Sequence, residues 1–233
     1  MEYDPIRKAA AELIGTFTFV FAVVASLAIG EQIAGVFGSA VAQGLALGVV
    51  VSAVGHISGA HFNPAVTFGF LLTRRMEPIL GVVYIVAQLA GAVGAALAVK
   101  ALFPDDLDTS LAVPQLGLGV EPWQGLLIEA LLTFFLVWVV FATAVDPRGT
   151  FTAIAGLGIG LIVTVDILLA GPLTGAAMNP ARAFGPELVE NMWTDGWIYY
   201  LGPLVGGGIA ALVYDGLYLA GRPEPTAETE PVA

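Results

Sequence analysis

Asn-Pro-Ala occurs twice, at Asn63-Pro64-Ala65 and Asn179-Pro180-Ala181, and the copies stand 116 residues apart in a chain of 233. Asparagine favours the cap of a helix and proline its first turn, so each triplet reads as a helix start. The runs they open, 63–73 and 179–189, are apolar but too short to cross a bilayer, which takes about 20 residues. Six other segments are long enough: 7–30, 37–56, 79–103, 122–145, 151–170 and 196–220. The expected fold class is an all-α membrane protein with six transmembrane helices and two re-entrant half-helices. Non-helical backbone at membrane depth is tolerated only inside protein or beside water. Two half-helices meeting in the bilayer therefore point to a pore.

Composition narrows the function classes. The chain is 58% hydrophobic and 12% charged, where soluble domains carry roughly a quarter charged residues. The first apolar stretch is too long for a cleavable signal peptide and leads into more membrane sequence. With no cysteine, disulfides and thiolate metal sites are excluded. His56 and His61 have no carboxylates beside them in sequence, so no metal and no other cofactor is expected. A net charge of −11 argues against nucleic acid. No nucleophile–base pair or phosphate-binding loop stands out, so the chain does not read as an enzyme.

The halves repeat each other. Glu12 with Thr16-Phe17 matches Glu129 with Thr133-Phe134, Gly44 matches Gly160, Gly59-Ala60 matches Gly175-Ala176, and Phe68 matches Phe184, all 116 or 117 residues apart. Three spans per half is an odd number, so the second half enters the membrane from the opposite side. Inverted repeats are common in transport proteins with a site at the midplane. Residues 1–233 read as a single channel domain: a first inverted repeat 1–103, a connecting loop 104–121, a second repeat 122–221 and a Pro- and Glu-rich tail, 222–233, expected to be disordered. Arg7, Lys8, Arg74, Arg75, Arg148 and Arg222 fall on one side of this arrangement and Lys100 near the other. Basic loops face the cytoplasm, so both termini are expected there, in an integral multi-pass protein of the cell membrane.

The triplets carry the chemistry. The stretches 56–62 and 171–178 are expected to be non-helical, with backbone carbonyls of Ala60, His61, Phe62, Ala177 and Met178 lining a narrow channel. Asn63 and Asn179 place amide donors at its centre, and the half-helix N-termini add partial positive charge. A water giving its oxygen to both amides turns its hydrogens outward and breaks the wire for proton hopping. Arg182 is a charge inside the membrane, which defaults to a functional reading, here cation repulsion at a constriction; the alternative is an arginine snorkelling from a helix end. Glu12 and Glu129 are read as loop supports that accept backbone N–H groups; the alternative, a proton relay, lacks a chain of titrating partners. Asp166 is expected to brace the second loop or to face the pore. His61 is read as lining the cytoplasmic half of the pore or as hydrogen-bonded beside the loop. Gly44/Gly48, Gly156/Gly160 and Gly206–Gly208 read as close helix packing, and Trp193, Trp197, Tyr199 and Tyr200 as an interfacial belt.

At these residues the chain resembles the aquaporin (major intrinsic protein) family, from Ala11-Glu12-Leu13-Ile14-Gly15-Thr16 to Gly202-Pro203-Leu204. The most specific stretches are 55–67 and Met178–Pro186. The resemblance implies a homotetramer with one pore per subunit, passing water and small uncharged solutes. It places the four-residue selectivity filter at Gln43, Ile167, Ala176 and Arg182. Strict water channels carry an aromatic residue and a histidine at the first two positions. Gln43 and Ile167 in their place imply a wider constriction of altered polarity. Ala183 after the arginine and Tyr199-Tyr200 late in the chain are water-type features. Ile167, Ala176 and the Gly-Pro-Leu-Thr-Gly approach to the second triplet resemble the plant vacuolar branch, whose members also pass ammonia, urea or hydrogen peroxide. Leu116 stands where that branch carries a loop histidine. The expected function is a passive water channel that excludes protons and ions. The alternatives are a facilitator mainly for glycerol, urea or ammonia, a membrane-adhesion or scaffold protein with a closed pore, and an ion-coupled transporter.

Overall fold

A computed structural model describes residues 3–149 and 154–219, apart from the side chain of Glu31. The tail 222–233, Arg222 and the expected start of the fifth span at 151 lie outside these residues. The described chain forms eight α-helices: α1 Pro5–Ala28, α2 Gly35–Ser58, α3 Pro64–Leu72, α4 Pro78–Leu102, α5 Pro122–Val140, α6 Ala155–Thr174, α7 Pro180–Glu190 and α8 Ile198–Tyr214. A single wide turn extends α5 to Val145 and α8 to Leu219. Six helices are long and apolar enough to cross a membrane, and α3 and α7, of 9 and 11 residues, are not.

Local chemistry sets the helix starts. Asp4 caps α1 through the Arg7 N–H at 2.9 Å, with Pro5 in the first turn. Asn63 and Asn179 cap α3 and α7, with Pro64 and Pro180 beginning each helix. The expected ends of α2 and α6 need correction. Both helices run further toward the triplets, to Ser58 and Thr174, and each stops at a glycine in left-handed backbone, Gly59 (φ +86°) and Gly175 (φ +82°). The irregular stretches are therefore Gly59–Asn63 and Gly175–Asn179, shorter than 56–62 and 171–178. Pro172 does not end α6.

Packing follows the internal repeat. α1 lies on α4 as α5 lies on α8, and α2 meets α6 between the halves. The half-helices are exchanged: α3 packs on α8 of the other half, and α7 packs on α4. Small residues permit these approaches. A Cβ on Gly44 would stand 2.5 Å from the Gly160 carbonyl oxygen, and one on Gly156 equally close to that of Gly48. Gly206 rests on the backbone of Ala130, and Gly91 on that of Leu13. Large apolar side chains such as Val49, Val86, Leu131 and Leu169 remain exposed around the bundle, as lipid-facing residues do in a chain whose solvent is hydrocarbon.

Both ends of the bundle carry ion pairs. Arg75 reaches Asp215 at 2.6 Å, and Arg148 reaches Asp146 at 2.6 Å, at the end where α1 starts and α8 finishes. Lys100 pairs with Glu190 at 2.7 Å at the opposite end. Of the expected aromatic belt, Trp193 and Trp197 are exposed. Tyr199 is fully buried, and Tyr200 gives its hydroxyl hydrogen to Glu187. Tyr199 therefore belongs to the interior, packed with Ala177, Ala183 and Ile198.

Candidate pore

The two asparagines cross-link the two loops. The side-chain oxygen of Asn63 accepts from Ala65 N–H at 2.8 Å, and that of Asn179 from Ala181 N–H at 2.9 Å and Arg182 N–H at 3.2 Å. Each amide nitrogen then reaches across the junction: Asn63 Nδ2 donates to Met178 O at 2.9 Å, and Asn179 Nδ2 to Phe62 O at 2.8 Å. One hydrogen of each amide is thus spent on the opposite loop, and one remains. That division was not legible in the sequence.

The loop backbone is strained in the same way twice. Ala60 and Phe62 have φ +51° and +50°, and Ala176 and Met178 have φ +44° and +52°. Left-handed backbone costs a residue other than glycine roughly 1–2 kcal/mol. Buried carboxylates offset it. Glu12 accepts from the Ser58 hydroxyl at 2.7 Å, His61 N–H at 2.9 Å, Phe62 N–H at 2.7 Å and Gln88 Nε2 at 2.8 Å. Glu129 accepts from the Thr174 hydroxyl at 2.7 Å, Ala177 N–H at 2.9 Å and Met178 N–H at 2.8 Å. A hydrogen bond to a charged group contributes about 1.5–3 kcal/mol, enough to hold the twist.

Sequence reading missed the hydroxyls that complete each brace. Ser58 and Thr174 also accept from Ala60 N–H and Ala176 N–H, at 3.0 and 3.1 Å. Their spacing of 116 residues was the available signal. Tyr84 and Gln88 on α4 were missed too. Tyr84 donates to Ser58 O at 2.7 Å, and nothing in its sequence neighbourhood marks it.

The strapped loops form one side of a narrow cavity. Ala60, His61, Phe62, Asn63, Ala176, Ala177, Met178, Asn179 and Arg182 line that side, and Phe19, Leu47, Val51, Val66, Leu136, Val140, Ile159, Val163 and Ile167 the apolar remainder. Gln43, Ile167 and Arg182 also line a second, wider cavity with Val36, Pro114 and Gln115. These three residues stand where the two cavities join, and Ala176 lies on the inner side. Gln43 is held by Nε2 donating to Ser26 Oγ at 3.2 Å. Arg182 is buried, and its Nη1 donates to Ala112 O in the connecting loop at 2.8 Å.

Other expectations fare differently. Leu116 lines neither cavity and packs against the buried Ala177–Tyr199 cluster. Asp166 neither braces the second loop nor faces the cavity: it is fully buried in α6, and neither oxygen has a partner among the described residues. His61 both lines the cavity and hydrogen-bonds beside the loop, with Nδ1 3.0 Å from Thr67 Oγ1. Among the described residues no three His, Asp or Glu side chains gather to hold a metal ion.

The arrangement is a narrow, mostly apolar cavity lined also by the polar residues of the two loops, suited to small uncharged molecules. Comparisons with known proteins agree. The profile of the major intrinsic protein family matches residues 1–214. Aquaporin TIP4-4 of Zea mays is 44% identical over 229 residues, covering 94% of this chain and 90% of its own. Probable aquaporin TIP2-2 of Oryza sativa subsp. japonica is 43% identical, covering 97% and 92%. The X-ray structure of the aquaglyceroporin from Plasmodium falciparum superposes with a TM-score of 0.84 at 22% identity, over 92% of this chain and 97% of that one, which concerns the fold.

Proposed function

The chain belongs to the major intrinsic protein family, and from that premise we propose that it is a passive water channel, conducting in single file, excluding protons and ions, and admitting small neutral solutes beside water. The observation that carries this reading is the crossed pair of asparagine amides on the cavity wall, each with one hydrogen left. A passing water gives its oxygen to these donors, and its hydrogens turn toward the carbonyls above and below. Neighbouring waters are then oriented away from the centre, and a proton cannot hop through it. The apolar wall offers no competing partners, so each water exchanges hydrogen bonds with one strip of the tube.

Gln43, Ile167, Ala176 and Arg182 form the selectivity filter in this reading. Arg182, held by the Ala112 carbonyl, carries the charge that repels cations. Gln43 and Ile167 leave room for solutes somewhat larger than water. The strapping roles fall to Glu12 and Glu129, and no residue is assigned a catalytic role. The two repeats, 1–103 and 122–221, joined by 104–121, act as one domain, followed by the tail 222–233. Basic residues at the α1-start end support a cytoplasmic position for both termini, in a protein of the cell membrane. The protein assembles as a homotetramer, its exposed apolar helix faces shared between lipid and neighbours.

Stopped-flow swelling of proteoliposomes in parallel gradients of osmolyte, glycerol, urea and ammonia tests the reading. Fast water flow with background proton flux and current is the expected result. Solute entry without fast water flow would make the protein a facilitator for that solute. Correctly folded protein that leaves lipid water permeability unchanged would remove the channel reading altogether.

A further inference from the structure

We propose that a buried hydrogen-bond chain from Glu12 through Gln88 and Thr67 fixes His61 as the neutral tautomer protonated on Nε2, which presents a single N–H donor to the pore. Gln88 is fully buried, and its Nε2 lies 2.8 Å from Glu12 Oε2 and 3.0 Å from Thr67 Oγ1. Rotating the amide by half a turn would set its oxygen against the carboxylate, acceptor against acceptor. Both Nε2 hydrogens are therefore committed, one to Glu12 and one to Thr67. Thr67, also fully buried, accepts from Gln88 and has its own hydrogen left to give. Among the described residues the remaining partner of that hydroxyl is His61 Nδ1, at 3.0 Å. The hydroxyl donates and Nδ1 accepts, so the ring proton sits on Nε2.

The ring is held so that this nitrogen has one outlet. His61 packs against Phe70 at a centroid distance of 4.3 Å and edge-on to Tyr84 at 5.3 Å. Its Nε2 side faces Gly59, where a Cβ would stand 3.6 Å away. Nε2 makes no hydrogen bond to the described residues, yet it is not among the side-chain atoms sealed from solvent, and His61 lines the cavity. The donor series along the polar strip then continues past Asn63 toward the α3 side of the pore. The second half has Ala177 in place of His61, Ala183 in place of Thr67 and an apolar α8 residue in place of Gln88, so the extra donor makes the two halves of the path unequal. Glu12 thus does more than strap its loop. Thr67 and Gln88 are positioning residues that act through the imidazole. The tautomer stands independently of the channel reading; only what the N–H meets rests on it.

Solid-state NMR of the full chain in lipid, with ¹⁵N-histidine and the variant His56→Gln to leave one imidazole, tests this without a transport assay. The expected spectrum shows one neutral tautomer with the proton on Nε2, an Nδ1 resonance displaced by an accepted hydrogen bond, and a magnetisation-transfer peak between water and Nε2–H. Thr67→Val moves the Nδ1 resonance to the position of an imidazole nitrogen without a donor, and Thr67→Ser restores it. A proton on Nδ1, a cationic ring at neutral pH, or an Nδ1 resonance that Thr67→Val leaves in place would overturn the proposal. Should the valine variant fail to fold, Thr67→Ala reads the same displacement, and the tautomer of the parent chain decides by itself. Loss of water permeability with these resonances intact would count against the channel reading alone.

Discussion

Single side chains do opposing jobs in this pore, and the energetics say which can be changed. Arg182 is a buried charge whose side chain, among the described residues, hydrogen-bonds to a loop carbonyl alone, so its field reaches the path. Arg182→Val is expected to raise proton or cation leakage severalfold with the fold intact, read by dye-reported proton flux in liposomes. An unchanged leak would take Arg182 out of the filter. Glu129 is different, because it is fully buried and holds three donors. Glu129→Gln offers one acceptor oxygen and a clashing NH₂. Leaving one or two buried donors unpaired at about 1–3 kcal/mol each predicts a loss of roughly 1–6 kcal/mol, seen as a lower unfolding temperature in detergent. Gln43→Phe combined with Ile167→His should narrow the junction of the two cavities and cut urea or glycerol flux more than water flux, measured as the ratio of the two by stopped flow. An unaltered ratio would place the filter elsewhere. The triplet asparagines and the two glutamates were legible from their spacing alone. Asp166 was singled out equally early, and no structural account of its two unpartnered oxygens emerges.

Helices meet here through glycine rather than through interlocking large side chains, because lipid tails supply no hydrophobic force to press helices together. Close backbone approach is what remains, and its tolerance is small. A Cβ on Gly206 would fall on the carbonyl of Ala130, backbone that cannot move without carrying α5 with it. Gly206→Leu is therefore expected to cost at least the roughly 1–3 kcal/mol of an overpacked core, with loss of the folded species in size-exclusion profiles. Gly94 is the control. A Cβ there meets only the Phe17 ring, 3.5 Å away, so Gly94→Ala should leave stability unchanged or raise it slightly. Helix existence was readable from hydropathy, and the half-helices from length. The ends of α2 and α6 were not, since apolar runs carry no stop signal. The stops are left-handed glycines, whose role appears only when the following loop is seen to turn back toward the glutamate.

The two ends of the bundle are fastened unequally, and the end that carries both Asp146 and Asp215 has a built-in pH dependence. Asp146 accepts from Arg148 N–H at 3.0 Å, Arg148 Nε at 2.8 Å and Tyr214 OH at 3.1 Å, while Arg148 also reaches Tyr218 O at 2.8 Å. The Arg148 guanidinium is the main cause that pulls the Asp146 carboxyl down to about 2, against the opposing effect of burial. A carboxyl depressed on folding contributes stability that is full above the ordinary carboxylate range and is lost as the pH falls toward about 2. Amide exchange of residues 215–219 should accordingly quicken between about pH 4 and pH 2. Asp146→Asn should exchange quickly throughout, with the pH dependence gone; a parent-like profile in that variant would show the clasp to be idle. From the linear chain one could derive the membrane class, the spans, the half-helix starts and the equivalence of the two halves, because hydropathy, capping and repetition are local properties. Only the folded bundle revealed that each half-helix packs against the other half, that each asparagine spends one hydrogen across the junction, and that Gln43, Ile167 and Arg182 converge where two cavities join. Those facts depend on which atoms meet after residues more than a hundred positions apart are brought to hydrogen-bonding distance, and no local pattern encodes that.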